Sequence, residues 1–206
     1  MGEGMSGALP APAPGKLDRR EAVAALLENR GRMLVVSGLG SPTYDTFAAG
    51  DHDGNFYLWG AMGGAALMGL GLALAQPDRP VTVITGDGEQ LMGLGGLATI
   101  AVSAPKNLSI VVLDNGHYGE TGGQLSHSGA GIDLGRVAAA TGFTAVMDVV
   151  EESDLAAARE AIGTVGGGPR FITVRIAHVE TPRALPARDG SWIKSRFRGH
   201  LGLGPN

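Results

Sequence analysis

Short apolar runs alternating with helical stretches constrain this chain more than any other feature. Residues 33–37, 81–85, 108–113 and 171–176 are compact runs of mostly β-branched and aliphatic side chains, the pattern of strands buried on both faces. Around them lie candidate helices at 17–29, 63–76, 89–103, 134–141 and 153–163, with a weaker strand at 143–147. Asp18 is placed to cap the first helix and Gly31 to end it. Strand and helix in this alternation predict an α/β fold, a parallel sheet with helices on both faces. Ligands of such sheets bind at the carboxyl ends of the strands.

Composition narrows the function classes. The 206 residues are 44% hydrophobic and 17% charged, with a net charge of −4. Nothing in that balance attracts DNA, RNA or anionic lipid, so neither nucleic acid nor membrane is an expected partner. The chain has no cysteine, which excludes disulfides, zinc–thiolate sites and thiol catalysis and is compatible with a reducing compartment; a cytoplasmic location is expected. The longest apolar stretch, 61–75, is broken by Gly63, Gly64, Gly69 and Gly71 and is shorter than the roughly 20 residues of a membrane span. The N-terminus lacks the pattern of a signal peptide. Residues 1–16 are mostly Gly, Ala and Pro and are expected to form a disordered tail. Residues 17–177 are read as one domain. Residues 178–206, with Arg183, Arg188, Lys194, Arg196 and Arg198, are read as a C-terminal extension.

Three polar stretches each follow a predicted strand: Ser37-Gly38-Leu39-Gly40-Ser41-Pro42, Thr85-Gly86-Asp87-Gly88-Glu89 and Asp114-Asn115-Gly116-His117-Tyr118-Gly119. In a parallel sheet these ends converge. The second places a carboxylate between two glycines at a strand-to-helix turn, where backbone N–H groups can meet an anion but the carboxylate needs a cation between. Magnesium suits that position, because it takes a few protein oxygens and completes its shell with phosphate and water. Asp87 and Asn115 are the candidate side-chain ligands, with the backbone carbonyl of His117 as a third.

Gly86-Asp87-Gly88, then twenty-six residues, then Asn115, resembles the motif by which thiamine diphosphate enzymes hold Mg²⁺ and the cofactor's diphosphate. Gly60-Ala61-Met62-Gly63 resembles the segment whose bulky side chain wedges between the two rings of that cofactor. The resemblance implies that the Gly60 carbonyl receives the cofactor's amino group and the Met62 N–H reaches the pyrimidine. It also implies that Gly38, Gly40, Ser41, Gly86, Gly88 and Glu89 line the diphosphate, with Asn115, His117, Tyr118 and Gly119 beside it. GDGEQLMGLGGLATIA and DNGHYGETGGQ are similar to the small β-type subunits of the sulfopyruvate and phosphonopyruvate decarboxylase group. That likeness implies a 2-oxoacid substrate released as CO₂ and an aldehyde. In such enzymes a glutamate from a pyrimidine-binding domain activates the cofactor. This chain holds no second α/β domain and no glutamate in a matching context, so the resemblance implies a separate pyrimidine-binding subunit and a hetero-oligomer of at least two copies.

His117, Glu120 and His52 are candidate catalytic groups, as proton donors or substrate contacts, although surface or structural roles compete for each. His127 and Gln124 share the loop. Carboligation in place of decarboxylation stays open, as does a non-catalytic cofactor-binding role. Gly93-x-Gly95-x-x-Ala98 imitates a dinucleotide fingerprint, but its first glycine falls inside a predicted helix rather than at a strand end.

Overall fold

A computed structural model describes residues 15–204; most of the expected N-terminal tail lies outside the described residues. The chain runs α1 (Arg19–Leu27), β1 (Leu34–Ser37), α2 (Ser41–Ala48), β2 (Asn55–Tyr57), α3 (Ala65–Ala75), β3 (Val81–Gly86), α4 (Asp87–Met92) and α5 (Gly96–Ser103). It continues through β4 (Leu108–Asp114), a small hairpin of β5 (His117–Tyr118) and β6 (Gln124–Leu125), α6 (Leu134–Thr141), β7 (Ala145–Val149), α7 (Leu155–Gly163), β8 (Arg170–Arg175) and α8 (Gly190–His200).

The main sheet has six strands in the order β2-β1-β3-β4-β8-β7, and every pairing in it is parallel. Strand periodicity explains how one sheet feeds two cores. Leu34, Val36, Val83, Ile110, Val112 and Phe171 pack under α3, α5 and α6, whereas Val35, Ile84, Val111, Leu113, Ile172 and Val174 face α1 and α7. Both faces are therefore covered, as a parallel sheet requires. Asp18 caps α1 through its side chain, accepting from the Arg20 and Glu21 N–H groups.

The helix expected over 89–103 is two helices. Gly93 ends α4, and a Cβ there would sit 2.2 Å from the Gly63 carbonyl oxygen. That close approach, with three low-propensity glycines at 93, 95 and 96, breaks the helix and lets the start of α3 lie against the end of α4.

Residues 178–189 cross the end of the sheet towards β2. Arg20 Nη2 donates to the Pro182 carbonyl at 2.7 Å and Trp59 Nε1 to the Ala187 carbonyl at 2.8 Å. Asp189 then caps α8, whose buried Ile193 and Phe197 face the β2 edge, Phe197 meeting Phe56 edge-on at 5.6 Å. An otherwise open edge strand is covered in this way.

The amino end of β2 is anchored by imidazoles. His52 Nδ1 lies 2.9 Å from Arg30 Nη2, His200 Nε2 lies 3.0 Å from Arg79 Nη2, and the two rings are 5.2 Å apart. Burial, then the neighbouring guanidiniums, push both imidazoles below their usual value, against a smaller opposing pull from Asp53. The unfolded chain therefore takes up these protons first. The contribution is fully present above about pH 6.5 and is lost as pH falls through the depressed folded values. The melting temperature should drop between pH 7.5 and 5.5, and His200→Gln should shrink the drop; an equal decline in the variant would dismiss these histidines as its source.

Candidate functional site

The register of the strands brings their carboxyl ends to one level, pairing Ser37 with Ile84, Gly86 with Leu113 and Asp114 with Arg175. Three turns leave from there. After β1 the chain bends through Gly38-Leu39-Gly40 into α2, after β3 it enters α4 directly at Asp87, and after β4 it passes Asn115 and Gly116 into the β5–β6 hairpin. Together they form a cleft lined by Ser41, Met62, Gly86, Asp87, Gly88, Glu89, Asn115, His117, Tyr118, Gly119 and Glu120.

Asp87 is 3% exposed. Its Oδ2 accepts from Ser126 Oγ at 2.5 Å and Ser128 Oγ at 2.9 Å. Burial raises its pKa, the nearby Asp114 charge adds to the rise, and the two serine hydroxyls oppose it. Asp114 differs in having a cation: its Oδ2 accepts from Arg175 Nη1 at 2.6 Å, and both side chains are buried. Among the described residues no lysine, arginine or histidine pairs with Asp87. A buried carboxylate with hydroxyl donors and no counter-charge, lining the same cleft as the carboxamide of Asn115, has the donor oxygens that a cation takes. The donor chemistry suits a hard ion. No group of three or more His, Cys, Asp or Glu side chains assembles among the described residues; Mg²⁺ needs fewer, since it takes one or two protein oxygens and completes its shell with phosphate and water.

The remaining side chains brace the cleft. Glu89 directs Oε2 to the Leu39 N–H at 2.8 Å and so fixes the β1–α2 turn. Burial raises its pKa, and that N–H opposes the rise. Gly38 is where the turn needs glycine, because a Cβ there would lie 2.0 Å from Glu89 Oε2. Met62 is 40% exposed, and its side-chain methyl carbon would lie 3.8 Å from a Cβ placed on Gly88. The Asn115 Oδ1 accepts from the His117 N–H at 2.9 Å, and His117 Nδ1 lies 2.8 Å from the Asn115 carbonyl oxygen. Tyr118 Oη is 2.9 Å from His127 Nδ1. Glu120 pairs with Arg183 of the extension at 3.2 Å, on the exposed side of the cleft.

Most of the residues expected at the site are thus brought together. Gly38 and Gly40 adjoin the lining within their turn, and Gly60, with φ +147°, stands two residues before Met62. His52 does not join them. It precedes β2, at the amino end of the sheet, and its ring is engaged with Arg30 and the Gly54 N–H. Sequence reading missed Ser126 and Ser128, which lie about forty positions from Asp87, and Arg175. Serines carry no spacing signal that could have exposed them.

Residues 46–174 match the family described as the thiamine pyrophosphate enzyme, C-terminal TPP binding domain. This chain belongs to that family. It is 49% identical over 168 residues to a phosphonopyruvate decarboxylase of Streptomyces hygroscopicus, covering 80% of the chain and 40% of that protein. A second, from Streptomyces viridochromogenes, is 41% identical over 175 residues, covering 83% and 43%. The sulfopyruvate decarboxylase subunit beta of Methanothermobacter thermautotrophicus is 43% identical over 131 residues, covering 64% of the chain and 68% of that subunit. The chain therefore spans less than half the length of the two phosphonopyruvate decarboxylases and about two thirds of the subunit. A 2-oxoglutarate:ferredoxin oxidoreductase from Magnetococcus marinus shares the fold, superposing with a TM-score of 0.61 over 96% of the chain and 80% of its own, at 18% identity.

Proposed function

We propose that this chain is the diphosphate-binding subunit of a heteromeric, thiamine diphosphate- and Mg²⁺-dependent 2-oxoacid decarboxylase, acting on sulfopyruvate- or phosphonopyruvate-like acids and releasing CO₂ and an aldehyde. The observation that carries the reading is Asp87, a buried carboxylate with no cationic partner among the described residues, lining the same cleft as Asn115. Names of relatives support the substrate class and the partner. A separate pyrimidine-binding subunit supplies the activating glutamate, and the assembly is placed in the cytoplasm.

The cofactor, when bound, supplies the electron sink for loss of CO₂. This chain's residues prepare the site for it. Asp87 and Asn115 would hold Mg²⁺, which would supply charge neutralisation for the diphosphate rather than act on the substrate. Glu89 keeps the Gly38–Ser41 turn against the diphosphate by holding the Leu39 N–H. Gly60 and Met62 would contact the cofactor and set its reactive shape. His117, with Nδ1 engaged by the Asn115 carbonyl, keeps Nε2 for proton exchange, and Glu120 contacts substrate at the open side.

Co-expression with the pyrimidine-binding subunit, followed by assay of sulfopyruvate and phosphonopyruvate, tests the reading. Stoichiometric CO₂ and free aldehyde are expected; a ligation product formed with an added acceptor aldehyde, in place of free aldehyde, would overturn it. Met62→Ala should lower kcat by about 100-fold, the effect of misplacing reacting atoms by about 1 Å, while the affinity for thiamine diphosphate changes little. An equal loss of both would return Met62 to a packing role.

A further inference from the structure

His178 lies just outside the cleft and none of the roles above uses it. Its position is fixed at the root of the extension: the Ile176 N–H bonds to the Asp114 carbonyl at 3.1 Å and the Ala177 N–H to the Leu17 carbonyl at 2.9 Å. The backbone two residues before it is thereby tied to the end of β4, next to Asn115. From that root the imidazole stacks on His117, with centroids 4.1 Å apart and planes inclined by 19°. Its Nδ1 lies 3.4 Å from Asn115 Nδ2. On its other side it approaches the turn before β6, where a Cβ at Gly123 would be 3.6 Å from Nε2.

The two ends of a carboxamide are nearly the same shape, and its hydrogen bonds decide which end points where. Asn115 Nδ2 can only donate, so His178 Nδ1 accepts there in the neutral tautomer that carries its proton on Nε2. Oδ1 is held at the opposite end by the His117 N–H, and a carboxamide oxygen keeps a second lone pair for another partner. The stack on His117 restrains the ring so that its acceptor stays aimed at Asn115.

We propose that His178 is a positioning residue that orients the Asn115 amide, keeping Oδ1 rather than Nδ2 available to Mg²⁺. The inference rests on the reading of Asp87 and Asn115 as the metal ligands. Groups that orient a metal ligand typically change metal affinity by about 10–100-fold when removed.

The test titrates Mg²⁺ into the full chain at saturating thiamine diphosphate, following heat of binding, with Mn²⁺ and its electron paramagnetic resonance signal as a second readout. His178→Phe keeps a ring for the stack and removes the acceptor; His178→Gln supplies an acceptor oxygen without the ring. The Phe variant should raise the Mg²⁺ needed for half-saturation by at least about 10-fold, and the Gln variant should recover most of that loss. Metal-free melting temperatures control for folding. Unchanged Mg²⁺ dependence in the Phe variant, or a Gln variant no better than Phe, would overturn the role of His178. Asp87→Ala run in parallel separates the two failures: loss there with no effect at His178 rejects this inference alone, whereas Mg²⁺-independent behaviour of Asp87→Ala and the unaltered chain rejects the metal site and the inference with it.

Discussion

Asp87→Ala should abolish Mg²⁺-dependent binding of thiamine diphosphate and leave the fold standing. The side chain sits at the first position of α4 and contributes no core volume; what it contributes is a negative charge that burial and Asp114 make hard to hold. Removing it costs the metal-free protein little, because the lost partners are the Ser126 and Ser128 hydroxyls, which can bond to each other across 2.9 Å. The ligand-bound protein loses everything that depends on the metal. In the unaltered chain, cofactor and Mg²⁺ at one hundred times their dissociation constant should stabilise the fold by about 2.7 kcal/mol. In the variant, the melting temperature with cofactor and Mg²⁺ should match the temperature without them. A variant that is still stabilised by the pair would remove Asp87 from the site.

Arg175→Met should be the most destabilising single change at this end of the sheet. Arg175 and Asp114 lie side by side on β8 and β4, with side chains 6% and 3% exposed. Arg175 Nε also donates to the half-exposed Asp148 at 2.9 Å. Methionine keeps the volume and leaves Asp114 buried and uncompensated, which typically costs about 3–5 kcal/mol. For a domain of this size that corresponds to a fall in melting temperature on the order of 10 °C. Adding Asp114→Asn should restore much of the loss, because the buried charge goes with it. The same ion pair distinguishes two carboxylates 27 positions apart in sequence: Asp114 is neutralised by Arg175, whereas Asp87 has hydroxyl donors and no cationic partner among the described residues. A double variant as unstable as the single one would deny that account.

What the sequence made legible was whatever follows from local pattern. The runs at 81–85 and 108–113 became β3 and β4 because continuous aliphatic stretches bounded by polar turns suit only a doubly covered parallel strand, and 134–141 became α6 because Asp133 caps it and Gly142 ends it in the left-handed region. What escaped depends on contacts distant in sequence. Strand β2 is three residues long and exists by pairing with β1, so no periodicity announces it. Helix α8 has only Ile193 and Phe197 as buried anchors among polar and charged neighbours, too faint a stripe to separate from a solvated basic tail. Helix α2 begins at Ser41-Pro42, which reads as a loop until proline is allowed its place in a first turn.

The site divides the same way. Asp87, Asn115 and Met62 were legible because each follows a strand end or a characteristic segment at fixed spacing, and the fold converts that spacing into proximity. Ser126, Ser128, Arg175 and His178 were not, since their relation to the site comes from the hairpin after Asn115 and from the pairing of β4 with β8. His52 shows the converse error: it stands close to Met62 in sequence, yet β2 starts at the amino end of the sheet and carries it away from the cleft.

The central claim is tested most directly by titrating thiamine diphosphate calorimetrically into the unaltered chain, once with Mg²⁺ and once with a chelator. Saturable one-to-one binding that requires Mg²⁺, and that tightens when the pyrimidine-binding subunit is added, is the predicted result. Absence of binding under every condition, or the same affinity in the chelator, would contradict it.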